Sequence, residues 1–514
     1  MLRKFPTSHV LILIIAIALL AAACSSSHKA GHSTTSSAGN LFPFSGGGVT
    51  TTSTPTGGSW STYYGNFARS GVDTSSPSAS ASTQAWKSPI TANVYAQPII
   101  ANGEVIIADE NDTVTAFDAN SGKVKWSRNL GQPVAGTSLP CGNINPSGIT
   151  GTPVANIASG KLWVVAFLSG APSAAQSGPA SGNSSTGSST STTSTSTPST
   201  STSTSTATAP TVTYAPYHEL FTLSLASGTI LSQQSADPSG QDPTVEQQRG
   251  ALTFANGFVY VPYGGLFGDC GNFHGFLVGI PVNSNLPYVV FQTPAPSQAG
   301  IWDPAGPVVV GGGDLLVASG NSSSTGTFDG GNTVTLLSQL LGTISTFTPS
   351  DSLTLNRSDL DLGSTNPVAI GNAHFFIAGK EGVGYILNST NLGGIGGQLS
   401  EGQVCSSGAI GGAIYLKSYI YVSCANNLVA LKVSGTTFSV AWTSPVGHPG
   451  PPIISGGDLW YVDTSNGTLN SYDPVSGAYV IDFEIGTAVT FTSPAAANGK
   501  LFVAAGGFLY CYSE

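Results

Sequence analysis

The sequence predicts an all-β protein, an eight-bladed β-propeller, from its composition, an internal repeat and the incomplete last copy of that repeat. Charged residues make up only 8% of the 514 residues, whereas glycine occurs 65 times. Since the charged residues that favour helices are scarce, a helical protein is disfavoured. The 40% of hydrophobic residues is ample for a core.

The repeat consists of a short apolar strand, a glycine-containing turn, a second apolar strand and further short strands separated by polar turns. Eight copies begin at Gln97, Thr152, Ala251, Gly306, Asn366, Gly412, Pro451 and Ser493. Without a Ser/Thr-rich insert of about 42 residues, residues 86–514 give about 48 residues per copy, which matches four-stranded propeller blades. Blades stacked in a ring bury faces that a single blade leaves exposed. A seven-bladed ring is the alternative.

The last copy of the repeat ends at its third strand, near Tyr512. We expect residues 84–88, which precede the first copy, to supply the missing fourth strand and so to close the ring. The propeller then covers residues 59–514. Residues 170–211 are rich in Ser and Thr and form an insert in the second blade, which we expect to be disordered.

The N-terminus has the features of an export signal. Arg3 and Lys4 precede an apolar run over residues 10–23, which is short for a membrane span and is followed by Cys24. Residues 1–23 resemble a bacterial lipoprotein signal peptide, which implies a lipid, palmitate included, on Cys24; ordinary signal-peptidase cleavage is the alternative. Residues 24–58, rich in Ser, Thr and Gly, would be a tether. We expect an extracytoplasmic protein anchored to the cell membrane.

Five cysteines follow Cys24, and export permits disulfides. The sequence does not determine the pairing. We expect the bridges Cys405–Cys424 and Cys141–Cys270, with Cys511 free. The absence of a CxxC motif disfavours thioredoxin chemistry and a zinc site. A net charge of −10, with no basic run after the signal, disfavours nucleic acid as a partner.

Residues 116–126, AFDANSGKVKW, resemble the repeat motif of pyrroloquinoline-quinone-type propellers. In this motif Asp118 would accept backbone N–H groups of a turn, Gly122 would take a positive φ, and Trp126 would pack between blades. Partial copies lie at residues 222–228 and 471–477, and Trp86 stands where a closing strand would carry its tryptophan.

A narrower resemblance, from about residue 148 to the C-terminus, is to uncharacterised bacterial, especially actinobacterial, quinoprotein-like propeller lipoproteins. It is carried by residues 263–275, 300–302, 347–350, 359–364, 379–380 and 392–397. The wider fold group includes quinone-dependent alcohol dehydrogenases and an outer-membrane assembly-factor lipoprotein, so it does not determine a function. The dehydrogenases carry a vicinal pair of cysteines over the quinone, and this sequence has none.

Six side chains in or beside these stretches are candidates for binding a ligand or cofactor in the central funnel: Arg249, His274, Trp302, Asp359, Asp361 and Lys380. Arg and Lys would bind carboxylates or quinone oxygens, Trp would stack on a ring, and carboxylates would do acid–base work. Asp359 and Asp361 alternate on a predicted strand, so both would face one side and could contribute to a calcium site. The alternative is a structural ion-pair network that uses Arg249 or Lys380.

The expected function is a ligand- or protein-binding scaffold module outside the cytoplasmic membrane. The alternative is a pyrroloquinoline-quinone-dependent dehydrogenase of alcohols or sugars, with calcium as a further cofactor. The sequence predicts neither the ligand nor the protein partner, and it does not distinguish the inner from the outer membrane.

Overall fold

The structure is a computed structural model that describes residues 58–76, 82–170, 215–282, 285–371 and 373–513. The predicted signal peptide, Cys24, nearly all of the tether and nearly all of the insert at 170–211 lie outside these residues. Within the described part of the chain, no helix is long and apolar enough to cross a membrane.

The described strands form eight sheets in a ring, so the prediction of an all-β, eight-bladed propeller is confirmed and the seven-bladed alternative is wrong. In chain order the strands are β1 (Thr83–Pro89), β2 (Ile99–Ala101), β3 (Glu104–Asp109), β4 (Thr113–Asp118), β5 (Val124–Asn129), β6 (Gln132–Pro133), β7 (Val154–Asn156), β8 (Lys161–Ser169), β9 (Tyr217–Ser224), β10 (Ile230–Ser235), β11 (Glu246–Gln247), β12 (Thr253–Ala255), β13 (Phe258–Gly265), β14 (Phe276–Pro281), β15 (Val289–Gln292), β16 (Val308–Val309), β17 (Leu315–Ala318) and β18 (Val334–Leu337).

The remaining strands are β19 (Thr343–Thr348), β20 (Val368–Ile370), β21 (His374–Ala378), β22 (Val383–Asn388), β23 (Gly394–Ile395), β24 (Ser400–Gln403), β25 (Ala409–Leu416), β26 (Tyr419–Cys424), β27 (Leu428–Ser434), β28 (Thr437–Thr443), β29 (Ile453–Ser455), β30 (Asp458–Asp463), β31 (Thr468–Tyr472), β32 (Tyr479–Glu484), β33 (Ala495–Ala497), β34 (Lys500–Ala505) and β35 (Phe508–Ser513). One short helix, α1 (Ser352–Arg357), and four 3₁₀ turns complete the described elements: Tyr63–Gly65, Gly136–Ser138, Gly311–Gly313 and Leu362–Ser364.

Each blade is an antiparallel sheet whose first strand faces the central channel. From inner to outer strand, blade 1 is β2-β3-β4-β5, blade 2 is β7-β8-β9-β10, blade 3 is β12-β13-β14-β15, blade 4 is β16-β17-β18-β19, blade 5 is β20-β21-β22-β24, blade 6 is β25-β26-β27-β28, blade 7 is β29-β30-β31-β32 and blade 8 is β33-β34-β35-β1. The strands β6, β11 and β23 add short pairings to blades 2, 3 and 4.

Blade 8 closes the ring by combining the two ends of the domain. Its outer strand is β1, which pairs antiparallel with the C-terminal strand β35, with Trp86 opposite Cys511. The predicted closure by residues 84–88 is therefore confirmed. Because β1 continues along the chain into blade 1, its hydrogen bonds to β35 join the first and last blades.

A repeated contact between a tryptophan and a glycine joins neighbouring blades. In blade 1, Asp118 accepts the N–H groups of Asn120 and Ser121, and Gly122 has a φ of 69°. Outer-strand tryptophans lie against the turn glycine of the next blade and donate their indole N–H to a carbonyl of that turn. The pairs are Trp86 with Gly122, Trp126 with Gly228 and Trp442 with Gly477. The packing predicted for this motif is thus present.

We expect Gly228→Ala to destabilise the domain by roughly 2–4 kcal/mol, because the new Cβ would overlap the Trp126 ring and the residue would keep a positive φ. Gly160→Ala is the matched control: its φ of 63° is nearly that of Gly228, and a Cβ there meets nothing within 4 Å. It should cost only about 1 kcal/mol. Urea denaturation measures both, and equal losses would contradict the docking role of Trp126.

Residues 58–76, here called the plug segment, cross the central channel. Residues 59–76 were predicted to belong to the propeller, but no strand or turn was predicted for them. Trp60 exchanges two backbone hydrogen bonds with Ile100 of blade 1, each 2.8 Å, and Phe67 O accepts the Val309 N–H of blade 4. On the other side of the ring, Gly71 O accepts the Ile454 N–H of blade 7. Since these partners are inner strands from separate parts of the ring, the plug segment closes one end of the channel.

The buried Arg69 fixes the plug segment to blade 3. Its guanidinium donates to Thr62 Oγ1 (2.7 Å), to the Tyr63 carbonyl (3.0 Å), to the Leu252 carbonyl (3.1 Å) and to Thr253 Oγ1 (2.6 Å). The side chain is 1% exposed. The loss of hydration of the buried Arg69 guanidinium is thus compensated by hydrogen bonds to two different parts of the chain.

Both predicted disulfides are present, Cys141–Cys270 and Cys405–Cys424, and Cys511 is free and buried. Cys405–Cys424 links blade 6 to the segment before it. Cys141–Cys270 joins the loop before blade 2's inner strand to a loop of blade 3, across 129 residues of sequence. Burial raises the pKa of the Cys511 thiol to about 12, so this cysteine is a poor nucleophile.

Candidate functional site

A cavity of about 520 Å³ lies in the central channel on the face opposite the plug segment's strand pairings. Its walls come from two kinds of loop: those that lead into an inner strand, and those that join the second and third strands of a blade. Because adjacent strands run antiparallel, both kinds of loop lie on the same face of the ring. Tyr63 of the plug segment lies beneath the cavity, beside Arg249 and Phe491. The cavity is therefore a funnel with a closed floor.

Five of the six candidate residues line this funnel, although they come from three blades: Arg249, Trp302, Asp359, Asp361 and Lys380. Other lining side chains come from blades 1, 4 and 8, and include Tyr95, Asn321 and Phe491. The structure therefore brings most of the predicted residues together. Their role in binding stays a prediction.

Arg249 has no ion pair and no side-chain hydrogen bond among the described residues. Its guanidinium lies over the Phe491 ring, 4.6 Å from the ring centroid. The carboxylate of Glu110 acts on Arg249 electrostatically, but its two oxygens accept the Gly148 N–H (2.6 Å) and the Thr150 hydroxyl (2.9 Å). Burial raises the pKa of Glu110 to about 7, which further weakens its charge. Burial lowers the pKa of Arg249, as expected for a cation without a partner.

Lys380 forms the ion pairs that the structural alternative predicted. Its Nζ lies 2.6 Å from Asp361 Oδ2 and 3.7 Å from Asp359 Oδ2. Burial opposes its charge, but Asp361 and then Asp359 outweigh this effect and raise the pKa of Lys380. The Asp361 carboxylate also accepts the backbone N–H of Asn321, at 2.7 Å.

The predicted strand through Asp359 and Asp361 is wrong. Asp359 follows helix α1 and has a φ of 54°, and Asp361 stands immediately before the 3₁₀ turn Leu362–Ser364. Alternation of polar and apolar residues indicated a strand, but the left-handed residue Asp359 breaks it. The two carboxylates still face the same side, because both contact Lys380.

Trp302 and Phe491 form an aromatic wall between the two cationic side chains. Their ring centroids lie 6.3 Å apart with an interplanar angle of 40°. Lys380 Nζ lies 5.6 Å from the Trp302 ring centroid. Along the wall the order is thus Arg249, Phe491, Trp302 and Lys380, which offers a ring system or an apolar body two aromatic faces.

The mouth of the funnel is bordered by the loop at residues 265–273, which the Cys141–Cys270 bridge fastens to blade 2. Phe267 in this loop is 67% exposed and Asp269 points into the cavity lining. The disulfide therefore holds two neighbouring parts of the cavity wall in fixed positions.

His274, the sixth candidate, lies outside the cavity lining. It is 7% exposed, its ring packs against Phe276 at 5.9 Å, and its backbone N–H donates to Glu246 Oε1 at 3.0 Å. The other carboxyl oxygen of Glu246 is buried and has no hydrogen-bond partner among the described residues. Burial, and then Asp237 and Asp242, raise the pKa of Glu246 to about 8.

This raised pKa predicts a pH-dependent stability. Between about pH 5 and pH 8 folded Glu246 keeps a proton that the unfolded chain releases, so stability falls as pH rises. Relative to Glu246→Gln, the wild type should lose on the order of 2 kcal/mol over this range. Glu484→Gln, at an exposed position, is the control. Guanidinium denaturation at both pH values tests this; a parallel pH dependence in wild type and Glu246→Gln would contradict it.

Three lining residues that were not predicted occupy the same place in the repeat as the predicted Arg249. Tyr95, Ile410 and Phe491, like Arg249, each stand two residues before the start of a repeat copy, and all four line the funnel. Alignment of the eight copies on their first residues would have revealed this position. Composition alone did not, because the residues at this position differ in chemistry.

The ring of eight blades, the tryptophan–glycine contacts and the central funnel define a propeller of pyrroloquinoline-quinone-like repeats. A family model described as outer membrane protein assembly factor BamB matches residues 67–264. A search of curated proteins found no match. The family match and the eight-bladed fold thus support the resemblance to pyrroloquinoline-quinone-like repeat propellers that the motif at residues 116–126 predicts.

Solved structures of similar fold include both enzymes and an assembly factor. The quinohemoprotein alcohol dehydrogenase of Comamonas testosteroni is 14% identical, with a TM-score of 0.62, over 88% of this chain and 80% of that one. A europium-containing methanol dehydrogenase is 13% identical, with a TM-score of 0.59, over 89% and 98%. BamB from Moraxella catarrhalis is 12% identical, with a TM-score of 0.54, over 84% and 100%. At these identities the similarity establishes the fold alone.

Proposed function

We propose that this protein is exported, anchored through Cys24, and binds a small molecule in its central funnel outside the cytoplasmic membrane. Two disulfides support an oxidising compartment, since such bonds are rare in the cytosol. The apolar run at residues 10–23 and the cysteine that follows support export and lipid attachment.

The observation that carries this proposal is the unpaired Arg249 in the funnel. The Arg249 side chain is half-buried at the cavity wall, and a cation that is partly withdrawn from water is normally compensated by acceptors, because lost hydration costs free energy. Elsewhere in the described chain Arg69 follows this rule with four hydrogen bonds. Arg249 has only an aromatic face, and it borders a cavity of a size and composition typical of ligand sites. A bound ligand would supply its missing partner.

The test is a thermal-shift screen of the purified domain against anionic, cationic, zwitterionic and neutral aromatic compounds. Compounds that raise the Tm of the wild type should bind Arg249→Gln about tenfold to a hundredfold more weakly, which is the usual loss for a charged hydrogen bond. Arg357→Gln, at an exposed arginine of α1, is the matched control and should bind as the wild type does. Hits that bind both variants equally, or no hits at all, would contradict the proposal.

The alternative of a quinone-dependent dehydrogenase includes a calcium ion as a further cofactor, and the donor set does not fit such an ion. Asp361 is already paired with the Lys380 ammonium at 2.6 Å, and Asp359 lies 3.7 Å from the same group. Among the described residues no three His, Cys, Asp or Glu side chains are grouped to hold a metal. The disulfide at the mouth joins distant cysteines, not vicinal ones. If the purified domain oxidises alcohols in a dye-linked assay with added pyrroloquinoline quinone and Ca²⁺, the dehydrogenase becomes the better-supported function.

A protein-binding scaffold is a second candidate, favoured by the family match described as an assembly factor. A photo-crosslinking residue in place of the exposed Phe267 tests it in cells. A single specific protein adduct, absent when the crosslinker replaces the equally exposed Leu340 on blade 4's turn, would support this role. Identical adduct patterns at both positions would argue against it.

A further inference from the structure

The funnel is electrostatically polar: one end carries an uncompensated cation and the other an excess of carboxylates. At the first end, the Arg249 guanidinium lacks an acceptor among the described residues. At the second end, Asp359 and Asp361 contact the single ammonium of Lys380, and Asp269 lines the same cavity and acts on Lys380 electrostatically. Three carboxylates and one ammonium leave this second end with a net negative charge.

The carboxylates at the acidic end are not equally satisfied. Asp361 contacts Lys380 at 2.6 Å through Oδ2 and accepts the backbone N–H of Asn321 through Oδ1, so both of its carboxylate oxygens have partners within the protein. Asp359 has the longer 3.7 Å contact with Lys380 and accepts the side-chain N–H of Asn321 at 3.3 Å, but its side chain is 66% exposed. Asp269 has no ion pair within the described chain, and its pKa is raised by burial and then by Asp361 and Asp359. Asp269 and the exposed carboxylate of Asp359 therefore keep acceptor capacity for a cationic group.

The two charged ends are separated by the aromatic wall of Phe491 and Trp302. Arg249 contacts Phe491 and Lys380 contacts Trp302, so the acidic end starts where the wall ends. Between the ends lie three successive contacts: Arg249 to the Phe491 centroid (4.6 Å), Phe491 to Trp302 (6.3 Å) and Trp302 to Lys380 (5.6 Å). A ligand that touches both ends must have its charges separated by a body several ångströms long.

We propose that the funnel binds a zwitterion, an amino-acid derivative or short peptide with free termini. Its carboxylate binds Arg249, its ammonium binds Asp359 and Asp269, and its apolar body lies on Phe491 and Trp302. This inference rests on the proposed function, since it names the chemical class of the ligand for the same cavity. A polyanion fits less well, because its distal negative groups would face the carboxylates of the acidic end.

The test uses phenylalanine, the dipeptide Ala-Phe and the tripeptide Ala-Phe-Ala as probes in isothermal titration calorimetry. Each is compared with its C-terminal amide, which lacks the carboxylate, and with its N-acetyl form, which lacks the ammonium. The best free probe should bind about tenfold or more tightly than either blocked form, as expected for one charged hydrogen-bonding group. The three probes differ in the distance between their charges, so their order of affinity reports the span of the site.

Variants then assign each charge to its partner by double-mutant cycles. Arg249→Gln should abolish the preference for the free peptide over its amide but keep the preference over the acetylated form. Asp359→Asn, at an exposed side chain, should do the reverse. Arg249→Lys retains a cation and provides a second variant if Arg249→Gln is unstable, with its Tm measured first.

The outcomes separate this inference from the proposed function. Equal binding of free and blocked peptides overturns the zwitterion. Failure of all three probes at millimolar concentration, while other compounds bind in an Arg249-dependent way, overturns the zwitterion and leaves the proposed function standing. Failure of every compound in the thermal-shift screen overturns both.

Discussion

Replacement of β1 by a Gly/Ser linker of equal length is expected to open the propeller. β1 forms the outer strand of blade 8, and Trp86 within it contacts Gly122 of blade 1. Without it, β35 becomes an unpaired edge strand and the first and last blades lose their connection. We expect the loss of most of the roughly 5–15 kcal/mol that stabilises a domain, because every blade relies on its neighbours.

The matched control is the same replacement of β10 (Ile230–Ser235), which is also an exposed outer strand but lies within a blade that is continuous in sequence. Its loss should lower the stability of blade 2 and leave the ring closed. Calorimetry compares the melting transitions, and small-angle X-ray scattering compares the radii of gyration. If both replacements cost the same and neither expands the particle, β1 has no special role in closure.

Arg69→Met is expected to destabilise the domain by roughly 3 kcal/mol or more. The substitution keeps an unbranched side chain but removes all four hydrogen bonds, so the buried Tyr63 carbonyl loses its Arg69 donor and the Leu252 carbonyl keeps only the Thr62 hydroxyl, at 3.2 Å. It also detaches the plug segment from blade 3, and the floor of the funnel should loosen. Hydrogen exchange of the plug segment should therefore rise more than that of the blades.

Arg357→Met is the control for this substitution, because Arg357 is exposed and makes one hydrogen bond, to the Thr325 carbonyl. Its effect should lie within about 0.5 kcal/mol of zero. If the dependence of the unfolding free energy on denaturant concentration (the m-value) is unchanged in Arg69→Met, the loss of stability arises in the folded state. Comparable stabilities of the two variants would show that the plug segment is not fastened by Arg69.

Much of the fold is predictable because its signals are local. Every blade repeats a short strand, a glycine turn and a second strand. Gly122 and Gly477 indicate turns from the local sequence alone, because glycine readily adopts the positive φ that these turns need. The closing strand was predictable for a different reason: the last copy lacked a strand and the first was preceded by one. Both inferences need only the order of strands along the chain.

The plug segment was not predictable from such signals. Its backbone hydrogen bonds go one or two at a time to the inner strands of several blades, so it has neither the alternation of a strand nor the period of a helix. The cluster Trp60, Tyr63 and Tyr64 in a stretch rich in small polar residues was the available hint. All three are fully buried.

The funnel was predicted in part because Arg249, Trp302 and Lys380 lie in or beside the distinctive stretches that carry the family resemblance. The structure places these three side chains together. Which cation is paired and which is free could not be predicted, because the partners come from loops of different blades. Phe491, 242 positions after Arg249 in the numbering, is brought to it only by ring closure.

The proposed binding function depends most on Arg249, which would bind an acidic group of the ligand in the funnel. A crystal structure of the domain with the tightest-binding compound from the thermal-shift screen tests this directly. We expect an acidic group of the compound within hydrogen-bond distance of the Arg249 guanidinium and its body against Phe491 and Trp302. A compound bound on the outer surface, with no density in the funnel, would contradict the account.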